Sequence, residues 1–174
     1  MTDPEPVDTT NLDTYGSAEL PWSRALEQLG TTPTPMEFAF FLGTVGPDGR
    51  PHAAGIGAVW HDGTLWFTSG PGTRKSRNLA AEPRCTVSVR VPGLDLVVEG
   101  HAARVTEPET VDALAAVYRD GGWPVEASGD TFTAPYSAPS AGPPPWYLYR
   151  FTLESAVGVA TEEPHGATRW RFRP

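Results

Sequence analysis

At 174 residues, with 39% hydrophobic and 20% charged residues, the chain has the composition of one globular domain with a core of its own. A formal net charge of -8 excludes a binder of the nucleic-acid backbone, which needs a basic stripe along its surface. No apolar run approaches the roughly 20 residues of a membrane helix, and Met1-Thr2-Asp3-Pro4-Glu5 lacks the features of a secretory leader, so the expected location is cytoplasmic.

The acidity is concentrated at the start of the chain. Seven acids against Arg24 give residues 1–40 a net charge of -6, leaving -2 for the rest. Residues 1–17 are polar and show no periodicity, and they read as a flexible acidic arm ahead of a single domain over 18–174. Trp22, Leu26 and Leu29 recur at i, i+4 and i+7 and predict a short helix stopped by Gly30. A β pattern begins near Phe38. Residues 40–45 form a predicted strand, Gly46-Pro47-Asp48-Gly49 a hairpin turn, and residues 51–60 the returning strand. His61-Asp62-Gly63 is a second tight turn into residues 64–69, which completes an antiparallel meander.

A basic helix interrupts the sheet. Thr73 is a good N-cap, and helix is predicted to Ala80 or Ala81, ahead of Pro83. Two strands follow, over 84–91 and 94–105, with Pro92-Gly93 between them. Thr106-Glu107-Pro108-Glu109 reads as a capping box, and Val111, Leu114, Ala115 and Tyr118 give the next helix one apolar side as far as Gly121-Gly122. Residues 120–145 hold six prolines and four glycines, which predicts a long functional loop without regular structure. Strands over 146–153, 156–160 and 167–172 close the chain. The expected class is mainly β: six to eight antiparallel strands in a closed or partly closed barrel with peripheral helices.

The chemistry gathers at the basic helix. Lys75 is the only lysine, and Arg74, Lys75 and Arg77 put three cations into four positions of an acidic protein. At a helix N-terminus the unpaired N–H groups and the positive end of the macrodipole already favour phosphate, and Arg74 adds a planar fork of donors. Arg77 and Asn78, three and four positions on, are candidates to extend the anion site. Residues 51–60 are poor in bulk: Gly55 and Gly57 either allow a flat ring to lie close along Ala54, Gly55, Ile56, Gly57 and Ala58, or mark a bulge or barrel corner. The hydroxyls of Thr68 and Ser69 either reach a ligand or stabilise the turn that follows. Arg169 and Trp170 either cover a ring or finish the last strand. Four scattered histidines show no ligand spacing, so no metal is expected, and Cys85, in an alternating run, reads as a small buried thiol.

The runs Thr44-Val45-Gly46-Pro47-Asp48-Gly49-Arg50-Pro51-His52 and Gly63-Thr64-Leu65-Trp66-Phe67-Thr68-Ser69-Gly70-Pro71-Gly72-Thr73-Arg74-Lys75-Ser76-Arg77-Asn78-Leu79, then Glu82-Pro83-Arg84, resemble the pyridoxamine 5'-phosphate oxidase-like split β-barrel family. The likeness is greatest to its actinobacterial flavin- and deazaflavin-dependent oxidoreductases, with a weaker match at residues 166–172. The resemblance implies a homodimer of FMN-binding-type split barrels with cofactor at the interface. It implies that Arg74 and Lys75 grip the cofactor phosphate, that Thr68 and Ser69 are the strand-end hydroxyl pair, and that Ala54 to Ala58 lie beside the ring. The B6 oxidases carry basic residues where this chain has Ala54 and Val59, which argues against pyridoxamine-phosphate oxidation. The expected activity is hydride transfer from reduced coenzyme F420 to a small unsaturated organic substrate, with Tyr136, Tyr147 or solvent supplying the proton. The alternatives are an FMN-dependent oxidoreductase, or a non-catalytic protein binding flavin, F420 or haem.

Overall fold

The computed structural model describes residues 3–31, 38–139 and 141–173. Eleven strands and three helices are present among them: β1 (Asp8–Asn11), α1 (Ser23–Leu29), β2 (Phe40–Val45), β3 (Pro51–Ile56), β4 (Ala58–His61), β5 (Thr64–Ser69), α2 (Arg74–Ala81), β6 (Arg84–Val91), β7 (Leu94–Arg104), α3 (Pro108–Asp120), β8 (Glu126–Ser128), β9 (Thr131–Thr133), β10 (Tyr147–Ala160) and β11 (Ala167–Arg171). Nine strands make one antiparallel sheet in the order β1-β11-β10-β7-β6-β2-β3, with β5 on β10 and β4 on β5. Antiparallel alternation supplies the core. β2 turns Phe40, Leu42 and Thr44 inward, β6 turns Cys85, Val87, Val89 and Val91, and β7 turns Leu94, Leu96 and Val98. Between β4 and β5, Asp62 and Gly63 both take positive φ, 49° and 69°, as a two-residue hairpin turn whose twist matches its strands requires.

β10 organises the curvature. It lies on β7 along most of its length, but its other edge is shared: Tyr147 to Phe151 pair with β5, and Ser155 to Val159 pair with β11. A register irregularity between Leu153 and Ser155 marks the change of partner. The sheet therefore folds over without closing, and the chain crosses the gap at Gly57, between β3 and β4. β5 is buried on both faces. Leu65 and Phe67 join the main core, while Trp66 joins a second apolar cluster with Val59, Val111, Leu114, Tyr118, Phe132 and Trp146.

Several sequence expectations change here. Residues 51–60 form two strands, because β3 belongs to β2 and β4 to β5, with Gly57 at the corner between them. Within residues 146–160 one strand, Tyr147–Ala160, replaces the two expected, with a register irregularity between Leu153 and Ser155. The acidic arm contains β1, which pairs with β11 through bonds such as Val7 N–H to Arg171 O and Leu12 N–H to Ala167 O, both 2.8 Å. All four β1 residues are exposed, so no hydrophobic period announced the strand. Residues 120–145 contain the hairpin β8–β9, held because Val125 and Phe132 are fully buried and Phe132 pairs with Trp146 across the barrel wall. The capping box does not form: Glu107 is the N-cap of α3 and makes no side-chain cap bond. Two expected features are as read, α1 ending at Gly30 and α2 capped by Thr73.

Candidate functional site

α2 presents two different faces. Lys75, Ser76, Asn78 and Leu79 are buried, whereas Arg74 and Arg77 are exposed. The three cations therefore differ in burial, with Lys75 on the inner face of the helix and Arg74 and Arg77 on the outer one. Lys75 is 4% exposed, and desolvation lowers its pKa from the ordinary lysine value. Arg74 lies beside the β2–β3 turn, where a Cβ placed on Gly46 would come 3.7 Å from its Nη2. Arg77 donates to the carbonyl of Gly72, in the loop that leads into the helix. Asn78 Nδ2 donates to Thr44 Oγ1 at 2.9 Å in a buried bond that ties α2 to β2.

The strand-end hydroxyls separate in the same way. Successive residues of a strand face opposite sides. Ser69 faces α2 and is fully buried. The Thr73 hydroxyl donates to Gly70 O at 2.8 Å, which leaves the 2.9 Å contact between Ser69 and Thr73 to be donated by Ser69, and Ser76 donates to Ser69 at 2.8 Å. Along the series Ser76, Ser69, Thr73 and Gly70 each hydroxyl proton points at a protein oxygen, so Ser69 and Thr73 stabilise the turn and the start of α2. Thr68 faces the other side of the sheet.

That other side holds a cavity of about 310 Å³, between Ile56, Gly57, Ala58 and Thr68 on one wall and Tyr118, Gly121, Gly122 and Trp123 on the other. A Cβ at Gly55 or Gly57 would meet no atom within 4 Å, so the backbone there borders open space. Gly57 O is engaged, accepting from Thr68 N at 3.4 Å and from Tyr118 Oη at 3.2 Å. The Tyr118 hydroxyl also approaches Trp66 O at 3.3 Å, and burial pushes its pKa upward. A second cavity of about 470 Å³ lies at the start of α2, lined by Gly72 and Thr73 and by residues of the proline-rich segment. The two cavities share Ala141, whose carbonyl oxygen abuts Gly70. Ala54 and Gly55 lie on β3 outside the first cavity, half-buried and exposed respectively.

Arg169 and Trp170 are not brought to this place. β11 stands near the opposite end of the sheet from β3. Trp170 is a core residue: it is 1% exposed, donates its indole N–H to Leu20 O at 3.1 Å, and packs on Trp22 with ring centroids 5.3 Å apart. Arg169 pairs with Thr10 and Val157 within the sheet, the strand-finishing alternative. Sequence reasoning missed the α3 wall, Tyr118 and Trp123, although the Gly121-Gly122 pair and the unusual loop had marked the neighbourhood. Cys85 is a buried thiol as expected, its pKa pushed up to about 12 by burial.

A profile described as pyridoxamine 5'-phosphate oxidase matches residues 34–141. No curated protein matches the sequence. Among solved structures, the fold is similar to an F420 reductase, at 21% identity over 75% of this chain and 94% of that one, with a TM-score of 0.52. A pyridoxamine 5'-phosphate oxidase-related, FMN-binding protein from Nostoc punctiforme is similar at 14% identity over 91% of this chain and all of that one, TM-score 0.54. A haem-binding protein from Mycobacterium smegmatis is similar at 14% identity over 86% of this chain and 58% of that one, TM-score 0.56. With its open antiparallel sheet and a profile match across more than half its length, the chain belongs to the pyridoxamine 5'-phosphate oxidase-like split-barrel family.

Proposed function

We propose that the protein is a cytoplasmic oxidoreductase that binds coenzyme F420 and passes a hydride from its reduced form to a small unsaturated organic molecule. One observation carries the reading: a buried lysine at the capped start of α2 lies a short way along the chain from an uncharged cavity beside a glycine-thinned strand. That is a cationic end and an apolar end, the two chemistries a phosphorylated redox cofactor presents. An added Cβ at Gly55 or Gly57 would meet nothing within 4 Å, which leaves the backbone there open to close approach by a flat ring. Arg74, Lys75 and Arg77 would hold the phosphate-bearing portion, with Ala54, Gly55, Ile56, Gly57, Ala58 and Thr68 against the ring. Bound F420 supplies the hydride; the chain binds, orients and excludes water. Water or Tyr147 supplies the proton, since the Tyr118 hydroxyl is directed at backbone carbonyls and Tyr136 donates to Pro124 O at 3.3 Å.

We also propose a homodimer. β3 is an edge strand with an exposed or half-exposed side chain at every position, and Phe41 and Val45 on neighbouring β2 are 50% and 40% exposed. A second copy over this edge would cover them and complete the groove. FMN is the alternative cofactor, favoured by the FMN-binding neighbour. Haem storage has less support, because His61, His101 and His165 each contact a carboxylate and His52 lies on β3 outside both cavities of the candidate site.

Titration of the purified protein with F420, FMN and haem tests the proposal. F420 is expected to bind most tightly. The double substitution Arg74→Ala, Lys75→Ala should weaken it by roughly 3–6 kcal/mol, from about 1.5–3 kcal/mol per charge-assisted bond. Unchanged affinity in the double variant would refute the phosphate placement.

A further inference from the structure

We infer that Asp48 is a specificity-determining residue for the cofactor phosphate, biasing the site toward a singly charged phosphodiester and against a doubly charged phosphomonoester. The inference rests on the proposal that Arg74 and Lys75 receive the phosphate-bearing end. It goes beyond that proposal by giving the chain a means of preferring F420, whose phosphate is a diester, over FMN, whose monoester carries roughly -1.5 to -2 at pH 7.

The positive region around that end is local. β2, the β2–β3 turn, β3 and α2 carry Arg50, Arg74, Lys75 and Arg77 against a single carboxylate, Asp48, in a protein whose net charge is -8. That one acid is held in place. Asp48 Oδ1 accepts from the Arg50 N–H at 3.2 Å, and Oδ2 lies 3.4 Å from Arg50 Nε. The turn beneath it is closed by Gly46 N–H to Arg50 O and Gly49 N–H to Gly46 O, both 2.9 Å, with Gly49 at a φ of 77°. The carboxylate folds back over Gly46 so closely that a Cβ there would come 2.8 Å from Oδ1, and the same Cβ would lie 3.7 Å from Arg74 Nη2. Gly46 is thus what lets a carboxylate and the first cation of α2 border one small space. Among the described residues Asp48 forms its ion pair with Arg50 rather than with Arg74, so that space is not sealed by a bond across it.

An anion seated on Arg74 therefore meets a fixed negative charge at short range. Both groups face solvent, Arg74 exposed and the Asp48 side chain 57% exposed, so the repulsion is that of charges in water. At a separation of about 6 Å it changes affinity roughly threefold for each unit of ligand charge at low ionic strength. The cations alone favour the dianion, and Asp48 reduces that advantage. A residue that only shaped the turn would act on both ligands alike and would not respond to salt.

The test uses the full-length protein and two probes that share one ring and one ribityl chain: FMN, and riboflavin 4',5'-cyclic phosphate, the same flavin as a monoanionic diester. F420 carries further carboxylates, so this pair isolates the phosphate. Asp48→Asn removes the charge and keeps an acceptor for the Arg50 N–H. Near pH 7.5 and at low ionic strength it should tighten FMN about ninefold and the cyclic diester about threefold, and the resulting shift of about threefold in their ratio should fade in about 1 M salt. Asp48→Ser, which also keeps an acceptor, should give the same shift. Equal tightening of both probes, unchanged affinity for both, or a ratio shift that survives high salt would each overturn the inference. The Arg74→Ala, Lys75→Ala protein separates it from the reading beneath, because that protein should lose both probes. If it keeps them, the phosphate placement fails and the role of Asp48 with it; if it loses them while Asp48→Asn leaves the ratio unmoved, only the role of Asp48 falls.

Discussion

Burial of Lys75 makes the ligand-free protein sensitive to alkali in an unusual direction. Desolvation lowers its pKa in the folded state, while the unfolded chain keeps a value near 10.4. Between those two values the unfolded chain binds more protons, so this residue makes stability rise with pH through that window and level off above it. Urea midpoints measured from neutral pH upward should show the rise in the wild type, and Lys75→Met should abolish that component. An anion bound against Lys75 favours its charged form, so ligand should flatten the same slope. At this scale the sequence was informative about residue type and less so about direction. The cationic knot and the N-cap were legible, because charge and capping are local. Whether Asn78 joined Arg74 or Lys75 depended on where α2 docks, and the adjacent Thr68 and Ser69 were read as a pair although strand geometry sends them to opposite faces. For Arg169 and Trp170, covering a ring and finishing the last strand stayed open in the sequence, because the packing of Trp22 and Leu20 against Trp170 is a tertiary fact.

α2 is an eight-residue helix whose inner face is polar apart from Leu79, so its place depends on specific bonds. The buried Asn78–Thr44 bond joins it to β2. Breaking it from either side should cost roughly 1–3 kcal/mol, because the remaining partner is stranded away from water. Asn78→Ala and Thr44→Val together should cost clearly less than their sum, and additive losses in a double-mutant cycle would rule out the tie. Elements with a clean period and strong punctuation were readable to the residue, as with β5, between Gly63 and Gly70, and β6, between Pro83 and Pro92. The break at Gly57 was harder to read: a glycine that turns a barrel corner and one that admits a ligand look alike until partner strands are known. The hairpin β8–β9 was hidden by its prolines and glycines, since it is held by Phe132 and Trp146 rather than by its own pattern.

Across the whole molecule, the acidic start is part of the barrel. β1 covers the outer edge of β11, and Asp3 Oδ1 accepts from the Trp60 indole N–H at 3.3 Å, so Asp3 reaches a core side chain. Deleting residues 1–12 should lower stability by about 2 kcal/mol, from several backbone bonds of roughly 0.5–1.5 kcal/mol each, or about 4–8 °C in Tm. An unchanged melting curve would return the segment to the status of a loose arm. The class, the first two hairpin turns and the open barrel were legible, because alternation and short turns determine them; the main sheet has nine strands, among them β1, which pairing rather than hydrophobicity makes. The length of β10 has a further consequence. One continuous strand of 14 residues is hydrogen-bonded to β7, β5 and β11, so neither lobe can peel away without tearing the other's ladder. The protein should melt as one cooperative unit, and the slowest-exchanging amides of the two halves of β10 should report the same opening free energy.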